Sequence, residues 1–264
     1  MKTLMQSKLI PSLASPLLDQ RQYANRILAI QPASLIAYWP LWEAAGVTAY
    51  DRSSRANNAV YASSGITYGQ PGIGDSRSAI SLDGNNTYVN IDTVVNTFDN
   101  DWNGNLFSML AWGKVDAASR WTDAATYRYL SHFRAADATY YAVMGKNQTD
   151  HQLEWRRRSG GAIVSYTHTF SPTGPTGWFC MGMTHDQSVP YLRFYLWDSA
   201  GGFRLLSESN SASLTDWGAN PPVTGATVLG AGSLTLQEWI GSLAHCAVWA
   251  TALTTPEMQK AMTP

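Results

Sequence analysis

Charge is scarce in this 264-residue chain. Lys and Arg number 18 and Asp and Glu 19, together 14% of the sequence, with a formal net charge of -1, where ordinary soluble domains carry about 25% charged residues. Without a basic surplus there is little to neutralise a phosphate backbone or anionic headgroups, which argues against nucleic acid and membrane as partners. No apolar run approaches the roughly 18 residues of a membrane-spanning helix. Cysteine is nearly absent: Cys180 and Cys246 lie in the apolar runs WFCMGMT and LAHCAVW and read as buried small hydrophobes in strands, since a chain this long needs no disulfide staple. Neither has a flanking Lys or Arg to favour a thiolate, and His245 points to the strand face opposite its neighbour Cys246. No repeat of fixed period is visible, which disfavours a propeller or solenoid. The opening MKTLMQSKLIPSLASPLLDQ reads as something other than a cleavable leader, because Pro11 and Pro16 break its apolar run and no small-x-small site follows.

Aromatics and glycine are plentiful, with 11 Trp, 13 Tyr and 21 Gly. Aromatics at 12% supply too much burial for a disordered chain, and uncharged polar loops between aromatic segments suit a β-rich protein. Residues 1–19 show no periodicity and read as an extended arm. From Leu17 to Ile30 the apolar residues Leu17, Leu18, Tyr23, Ala24, Ile27, Leu28 and Ile30 recur near a 3.6 period, with Asp19 a candidate N-cap and Pro32 just past the end, which predicts a short amphipathic helix. Beyond Leu35 twelve segments read as strands: SLIAYWPL, SAISLDG, TYVNID, LFSMLAWGKV, YYAVMGK, QLEWRRR, AIVSYTHTF, GWFCMGMTHD, YLRFYLWD, FRLLSES, ATVLGAG and GSLAHCAVW. So many imply two packed antiparallel sheets. Helix returns in TTPEMQKAM, where Thr254 or Thr255, Pro256 and Glu257 make a start signal. The expected organisation is an N-terminal arm and short helix over residues 1–34, followed by an all-β domain over 35–264.

Several segments, in order, resemble the laminin-G-like, concanavalin-A-like jelly-roll family. AYWPLWEAAGVTAYDRSSRANNAVYAS at 37–63 is similar to its opening strand, acidic-Gly turn and Asp-Ser-Ser loop, and GQPGIGDSRSAISLDGNNTYVNI at 69–91 to its Gly-rich and Leu-Asp-Gly turns. FSMLAWGKV at 107–115 and WFCMGMTHDQSVPYLRFYLWDSAGG at 178–202 are similar to its central strands, and GSLAHCAVWATALTTPEMQKAM at 241–262 to its closing strand and last helix. The resemblance implies a sandwich of two antiparallel sheets with a short C-terminal helix. In YLRFYLW, Tyr191, Arg193, Tyr195 and Trp197 share one face and Leu192, Phe194 and Leu196 the other. The second face suits the core, and the first is expected to form part of a concave aromatic surface of the kind on which family members bind glycans or proteins. Fold does not fix function.

Catalytic patterns are weak. Glycoside hydrolysis needs two carboxylates about 5–9 Å apart, yet the five glutamates are isolated, the Glu-x-Asp-x-x-Glu strand of related glucanases is absent, and Asp99 and Asp101 form the only pair at spacing two. The five histidines lack a Gly-x-Ser-x-Gly partner. GQPGIGDSRS has no Lys-Ser/Thr ending and reads as a turn. No enzymatic activity and no required cofactor are expected. Calcium is the closest contest: Asp99, Asp101 and Asn103 match the start of an EF-type loop, but its twelfth position is Leu110 instead of Glu, and an Asx-stabilised turn accounts for the pattern. Many relatives bind calcium near the Asp-Ser-Ser loop, here Asp51, with an acidic residue in the closing strand, which instead reads Leu243-Ala244-His245.

A sugar site needs aromatic platforms and planar polar groups, for which Trp121, Tyr127, Trp155 and Arg157, within the run Arg156–Arg158, are the candidates. Core or edge packing is the competing account of the same residues. The arm suits ordering on a partner through Leu9, Ile10, Leu13, Leu17, Leu18 and Tyr23. RQYANRILAIQPASLIAYWPL resembles the lead-in of laminin-G-like domains in tailed-bacteriophage virion proteins. That resemblance implies a non-catalytic virion protein, a capsid decoration or tail-associated component. It would assemble in a host cytoplasm, dock on capsid or tail proteins as a homo-oligomer and display a jelly roll to a surface glycan. A secreted lectin-like carbohydrate-binding module is the alternative, with a glycoside hydrolase third.

Overall fold

The computed structural model describes residues 22–94, 105–123, 126–135, 139–214, 227–232 and 236–264. Among these described residues sixteen strands, numbered in chain order, build two eight-stranded antiparallel sheets. The first sheet runs β14 (Gly202–Asn210), β13 (Tyr191–Asp198), β12 (Phe179–Asp186), β7 (Leu106–Val115), β16 (Gly241–Trp249), β5 (Ser78–Leu82) and β4 (Ile66–Pro71), with β1 (Leu35–Trp39) paired to β16. The second runs β11 (Ala162–Thr169), β10 (Gln152–Ser159), β9 (Tyr141–Lys146), β8 (Arg128–Arg134), β15 (Val228–Leu229), β6 (Val89–Asn90), β3 (Ala59–Tyr61) and β2 (Thr48–Ala49). The all-β sandwich expected from the sequence is the fold observed, and every one of the twelve expected segments carries a strand. β2, β3, β4 and β8 are additional.

Position in the layers explains the sequence texture of each strand. Central β12 is buried along nearly its whole length, because both of its faces are covered, and it reads as a continuous apolar run. Edge strand β11 alternates half-buried with exposed residues, as one covered face and one open face require. Between the sheets lies a core that includes Trp39, Phe107, Trp155, Phe179, Phe194 and Trp239. Leu192, Phe194 and Leu196 of β13 point into it, as their parity predicts.

A second apolar layer covers the outer face of the first sheet. The leading helix (Gln22–Ala29) and the closing helix (Thr255–Met262) lie there, burying Tyr23, Ile27, Trp112, Tyr195, Trp249 and Met258 together. The Tyr23 hydroxyl donates to Ala261 O and accepts from Trp112 Nε1, both at 2.7 Å, and Trp249 Nε1 donates to Ile30 O at 2.9 Å. The closing helix begins with a capping box: Thr254 Oγ1 accepts from Glu257 N while the Glu257 carboxylate accepts from Thr254 N, satisfying two otherwise orphaned donors.

These contacts correct three expectations. Tyr23 is 2% exposed and belongs to the interior of its own subunit, so it does not anchor a partner. The division at residue 34 falls inside one packed unit, because the leading helix buries Tyr23 and Ile27 in the apolar layer on the first sheet. The aromatic face of β13 is covered over most of its length: Tyr195 lies beneath the closing helix with its hydroxyl 3.3 Å from Thr255 Oγ1, and Trp197 packs on Trp112 at 5.0 Å between ring centres, while Tyr191 at the strand end is exposed. Leu9, Ile10, Leu13, Leu17 and Leu18 lie outside the described residues, as do Asp99, Asp101 and Asn103.

Strand β16 is the seam of the first sheet. One edge pairs with β7; along the other, Gly241, Ser242 and Leu243 pair with β5, and Cys246 to Trp249 pair with β1. The change of partner falls at a bulge where His245 takes a left-handed φ of 46°, a conformation that costs a non-glycine residue of order 1–3 kcal/mol. Its N–H donates to Pro40 O at 3.1 Å, its Nδ1 lies 2.7 Å from the Tyr38 hydroxyl and its Nε2 3.0 Å from Asp75 Oδ2. Cys246 turns into the inter-sheet core while His245 packs against Tyr23 on the other side, the opposition expected of strand neighbours. Burial pushes both the Cys180 and Cys246 thiols up, which keeps them protonated and inert.

Candidate functional site

Three of the four proposed ligand-binding residues are interior. Trp121, Trp155 and Arg157 are each 0% exposed. Trp121 sits in a 3-10 turn (Ala118–Thr122), donates from Nε1 to Pro175 O at 2.9 Å and packs on Phe170 and Phe179. Trp155 packs on Tyr166 and Phe194, and the Arg157 guanidinium lies 6.0 Å from the Phe107 ring centre. Parity is the reason: on β10, Leu153, Trp155 and Arg157 face the core, so Glu154, Arg156 and Arg158 face outward. Tyr127 is the fourth candidate and stands at the surface.

Around Tyr127 the outer face of β8, β9 and β10 forms an aromatic ledge. Tyr127 stacks on Tyr129 at 5.9 Å and 12°, Tyr129 stacks on His132 at 5.7 Å and 24°, and His132 meets Tyr141 edge-on at 6.2 Å. The register sets His132 beside Val143 and Val143 beside Arg156, with Arg134 beside Tyr141 and Tyr141 beside Arg158. Tyr129 and His132 are three apart, a spacing that a regular strand would send to opposite faces. A bulge between Tyr129 and Ser131 shifts the register and brings both rings to the same side. Gly145 lies opposite Tyr129, and a Cβ there would meet Arg128 O at 2.2 Å and Tyr129 Cα at 2.6 Å. Glycine is what allows these strands to close up beneath the ledge.

Charge is held in place along one side. Arg156 bonds the Glu154 carboxylate, and its guanidinium lies 5.5 Å from the Tyr127 ring centre. Burial works against the Arg156 charge, but bonds to Tyr141 and Tyr127 and the neighbouring Glu154 raise its pKa above the ordinary arginine value. Burial raises the Glu154 pKa despite Arg156, and burial lowers that of His132 to about 4, leaving a neutral imidazole at physiological pH. A shallow cavity of about 230 Å³ opens here, lined by Tyr129, His132, Arg134, Tyr141, Gly232 and Gln237 among others. That is below the range of about 300–1,000 Å³ usual for enclosed small-molecule pockets and suits a groove open to one or two rings of a longer ligand.

Among the described residues no group of three His, Cys, Asp or Glu side chains converges as a metal site. Asp51 organises its own loop: Oδ1 accepts from Tyr38 N and Ser53 N, and Oδ2 from Ser53 Oγ and Asn57 N, all between 2.6 and 2.8 Å. Glu154 is the one carboxylate among the ledge residues named here, and it is tied to Arg156.

Sequence reasoning missed Tyr129, His132 and Tyr141. The first two lie on β8, whose broken alternation gives no strand signal. The one signal available was parity on β10, which exchanges Arg157 for Arg156.

No known family model matches the chain, and no curated protein matches it by sequence. Solved structures match by shape. The binding domain of botulinum neurotoxin DC, in complex with rat synaptotagmin II, aligns with a TM-score of 0.54 at 14% identity over 87% of this chain and 51% of that one. The CBM40 of the Ruminococcus gnavus IT-sialidase, bound to alpha2,3 sialyllactose, aligns with a TM-score of 0.53 at 9% identity over 70% of this chain and 96% of that one. A Trypanosoma rangeli sialidase mutant displaying trans-sialidase activity gives 0.51 at 12% over 94% and 37%. The chain thus spans about half the length of the neurotoxin domain and about a third of the sialidase. At these identities the likeness defines a class, the two-sheet β-sandwich of jelly-roll type, and no particular protein within it.

Proposed function

We propose that this chain is a non-catalytic recognition module that holds a glycan across the ledge of β8, β9 and β10. The observation that carries the reading is the group of rings on the outer face of the second sheet, in which Tyr127 and Tyr141 are half-buried and Tyr129 and His132 buried beside them, with Arg156 and Gln237 alongside. Rings of this kind offer apolar platforms with polar tips, and a guanidinium and an amide beside them suit hydroxyl or carboxylate groups. Support also comes from the CBM40 neighbour, whose own structure holds a sialyllactose. In a glycan-array screen followed by calorimetric titration of the best hit, Tyr127→Ala weakens binding roughly two- to tenfold, on the scale of one aromatic contact, and Arg156→Gln roughly tenfold or more. Unchanged affinity in both variants, or no glycan retained by the wild-type chain, refutes the assignment.

A second reading, display of this module on a virion assembled in a host cytoplasm, is favoured by the likeness of residues 21–41 to the lead-in of phage virion domains. Its anchor narrows to residues before Gln22, including Leu9, Ile10, Leu13, Leu17 and Leu18, because Tyr23 is committed to the interior. Deleting residues 1–21 then abolishes incorporation into particles while leaving the unfolding midpoint of the sandwich unchanged. A secreted lectin instead keeps its glycan binding and shows no particle to join.

A further inference from the structure

A second pocket lies on the far side of the sandwich from the ledge, where the leading helix meets the loops flanking the first sheet. Its volume is about 390 Å³, and it is lined by Ala24, Asn25, Leu28, Trp42, Arg52 and Arg77. The Arg77 guanidinium carbon lies 4.7 Å and that of Arg52 5.7 Å from the centre of the Trp42 ring. Two like charges drawn to one indole repel each other unless an anion is placed near both.

The carboxylates of this region are engaged elsewhere. Both oxygens of Asp51 bind their own loop. Glu43 accepts from Tyr61 Oη at 2.5 Å and Tyr50 N at 3.1 Å. Asp75 faces His245 through Oδ2 and accepts from Arg77 N through Oδ1. Among the described residues neither Arg52 nor Arg77 forms an ion pair, and Arg77 Nε is buried without a hydrogen-bond partner.. Cation–π contact with Trp42 accounts for the placement of Arg77, and exposed Arg52 lies 5.5 Å from the Tyr50 ring centre as well as near Trp42, but these contacts satisfy no guanidinium N–H.

We propose that this pocket is a binding site for a small molecule bearing an oxyanion, an acidic sugar being of fitting size, whose anionic group bridges Arg52 and Arg77 while its apolar face lies on Trp42 and Leu28. Guanidinium forks match planar carboxylates and tetrahedral sulfates, and Asn25 supplies an amide at the rim. The site is independent of the ledge, so the module carries two ligands on opposite sides.

The test follows the indole N–H resonances of the labelled protein, with Trp42→Phe assigning the Trp42 signal, during titration with sodium glucuronate, glucose and inorganic sulfate. Glucuronate shifts Trp42 and glucose does not. Arg52→Gln and Arg77→Gln each weaken the effect about tenfold or more, and Ile163→Ala, at an exposed position on the second sheet, leaves it intact. Raising NaCl to about 0.5 M weakens it in the wild-type protein as well, a measurement that needs no variant. A sulfate response without a glucuronate response assigns the site to simple oxyanions, and a response to both assigns it to acidic sugars. Equal shifts with glucose and glucuronate, no shift with either anion, or wild-type affinity in both folded arginine variants overturns the proposal.

Discussion

Replacing Tyr23 with Phe tests whether the leading helix is part of the domain. The substitution keeps the ring, and with it the apolar contacts, so no large cavity opens. What disappears is one hydroxyl that serves two partners: Trp112 Nε1 loses its acceptor and Ala261 O its donor, each at 2.7 Å in the native fold. The carbonyl sits at the end of the closing helix, where no intrahelical donor is available, and the indole N–H lies under the helix layer. Leaving a buried polar group unmatched costs about 1–3 kcal/mol, and two such groups sharing one hydroxyl put the expected loss near the upper part of that range. Urea unfolding, followed by tryptophan fluorescence and by far-ultraviolet circular dichroism, measures it through the transition midpoint. Ile27→Ala, at a position with 0% exposure, serves as the apolar companion and costs about 2–5 kcal/mol. Both variants shift a single transition seen equally by the two probes. A Tyr23→Phe midpoint equal to wild type, or a separate early transition for the helix, refutes the idea that it is integral to the fold.

Three further outcomes are expected. His132 titrates near 4 in the folded state because of burial and near 6.5 unfolded; below 6.5 the unfolded chain gains a proton that the folded chain refuses, so stability falls as pH drops from 6.5 toward 4, by about 3 kcal/mol in all. His132→Asn flattens that slope in pH-dependent urea titrations, and an unchanged slope rules the mechanism out. Gly145→Ala, which sets a Cβ against Arg128 O and Tyr129 Cα, costs about 1–3 kcal/mol in unfolding midpoint by overpacking and weakens glycan retention with it; a neutral substitution means the strands beneath the ledge are less tight than described. Neither Cys180 nor Cys246 reacts with a thiol reagent such as dithionitrobenzoate in the native protein, both being buried with raised pKa; prompt native labelling contradicts that.

Much of the scaffold was legible because burial on one face or two writes itself into a strand. YLRFYLW divides cleanly into a Leu192, Phe194, Leu196 face and an aromatic face, and the first of these went where its parity pointed. What covers the second face was not legible, because alternation says which side chains share a surface and nothing about whether a helix lies upon it. β8 escaped notice since the register shift near Leu130 puts Tyr129 and His132, three residues apart, on one side. β2 and β3 have two and three residues, too short to show any period. At the proposed site, composition singled out Tyr127 and the arginine run. Residue type alone favoured Trp155 and Arg157, whereas strand parity assigns them to the interior and leaves Arg156 outside.

The seam strand has a consequence for how the protein is made. Among the described residues β1 pairs with β16 alone, β5 pairs with β4 and β16, and β7 pairs with β12 and β16. These three parts of the sheet therefore have no common partner until residues 241–249 have left the ribosome. A nascent chain must carry the unpaired edges of β1, β5 and β7 until then, a hazard for self-association. Long-range pairings of this kind also slow folding. A chain that stops short of Gly241 is thus expected to meet a chaperone or protease before it meets a ligand.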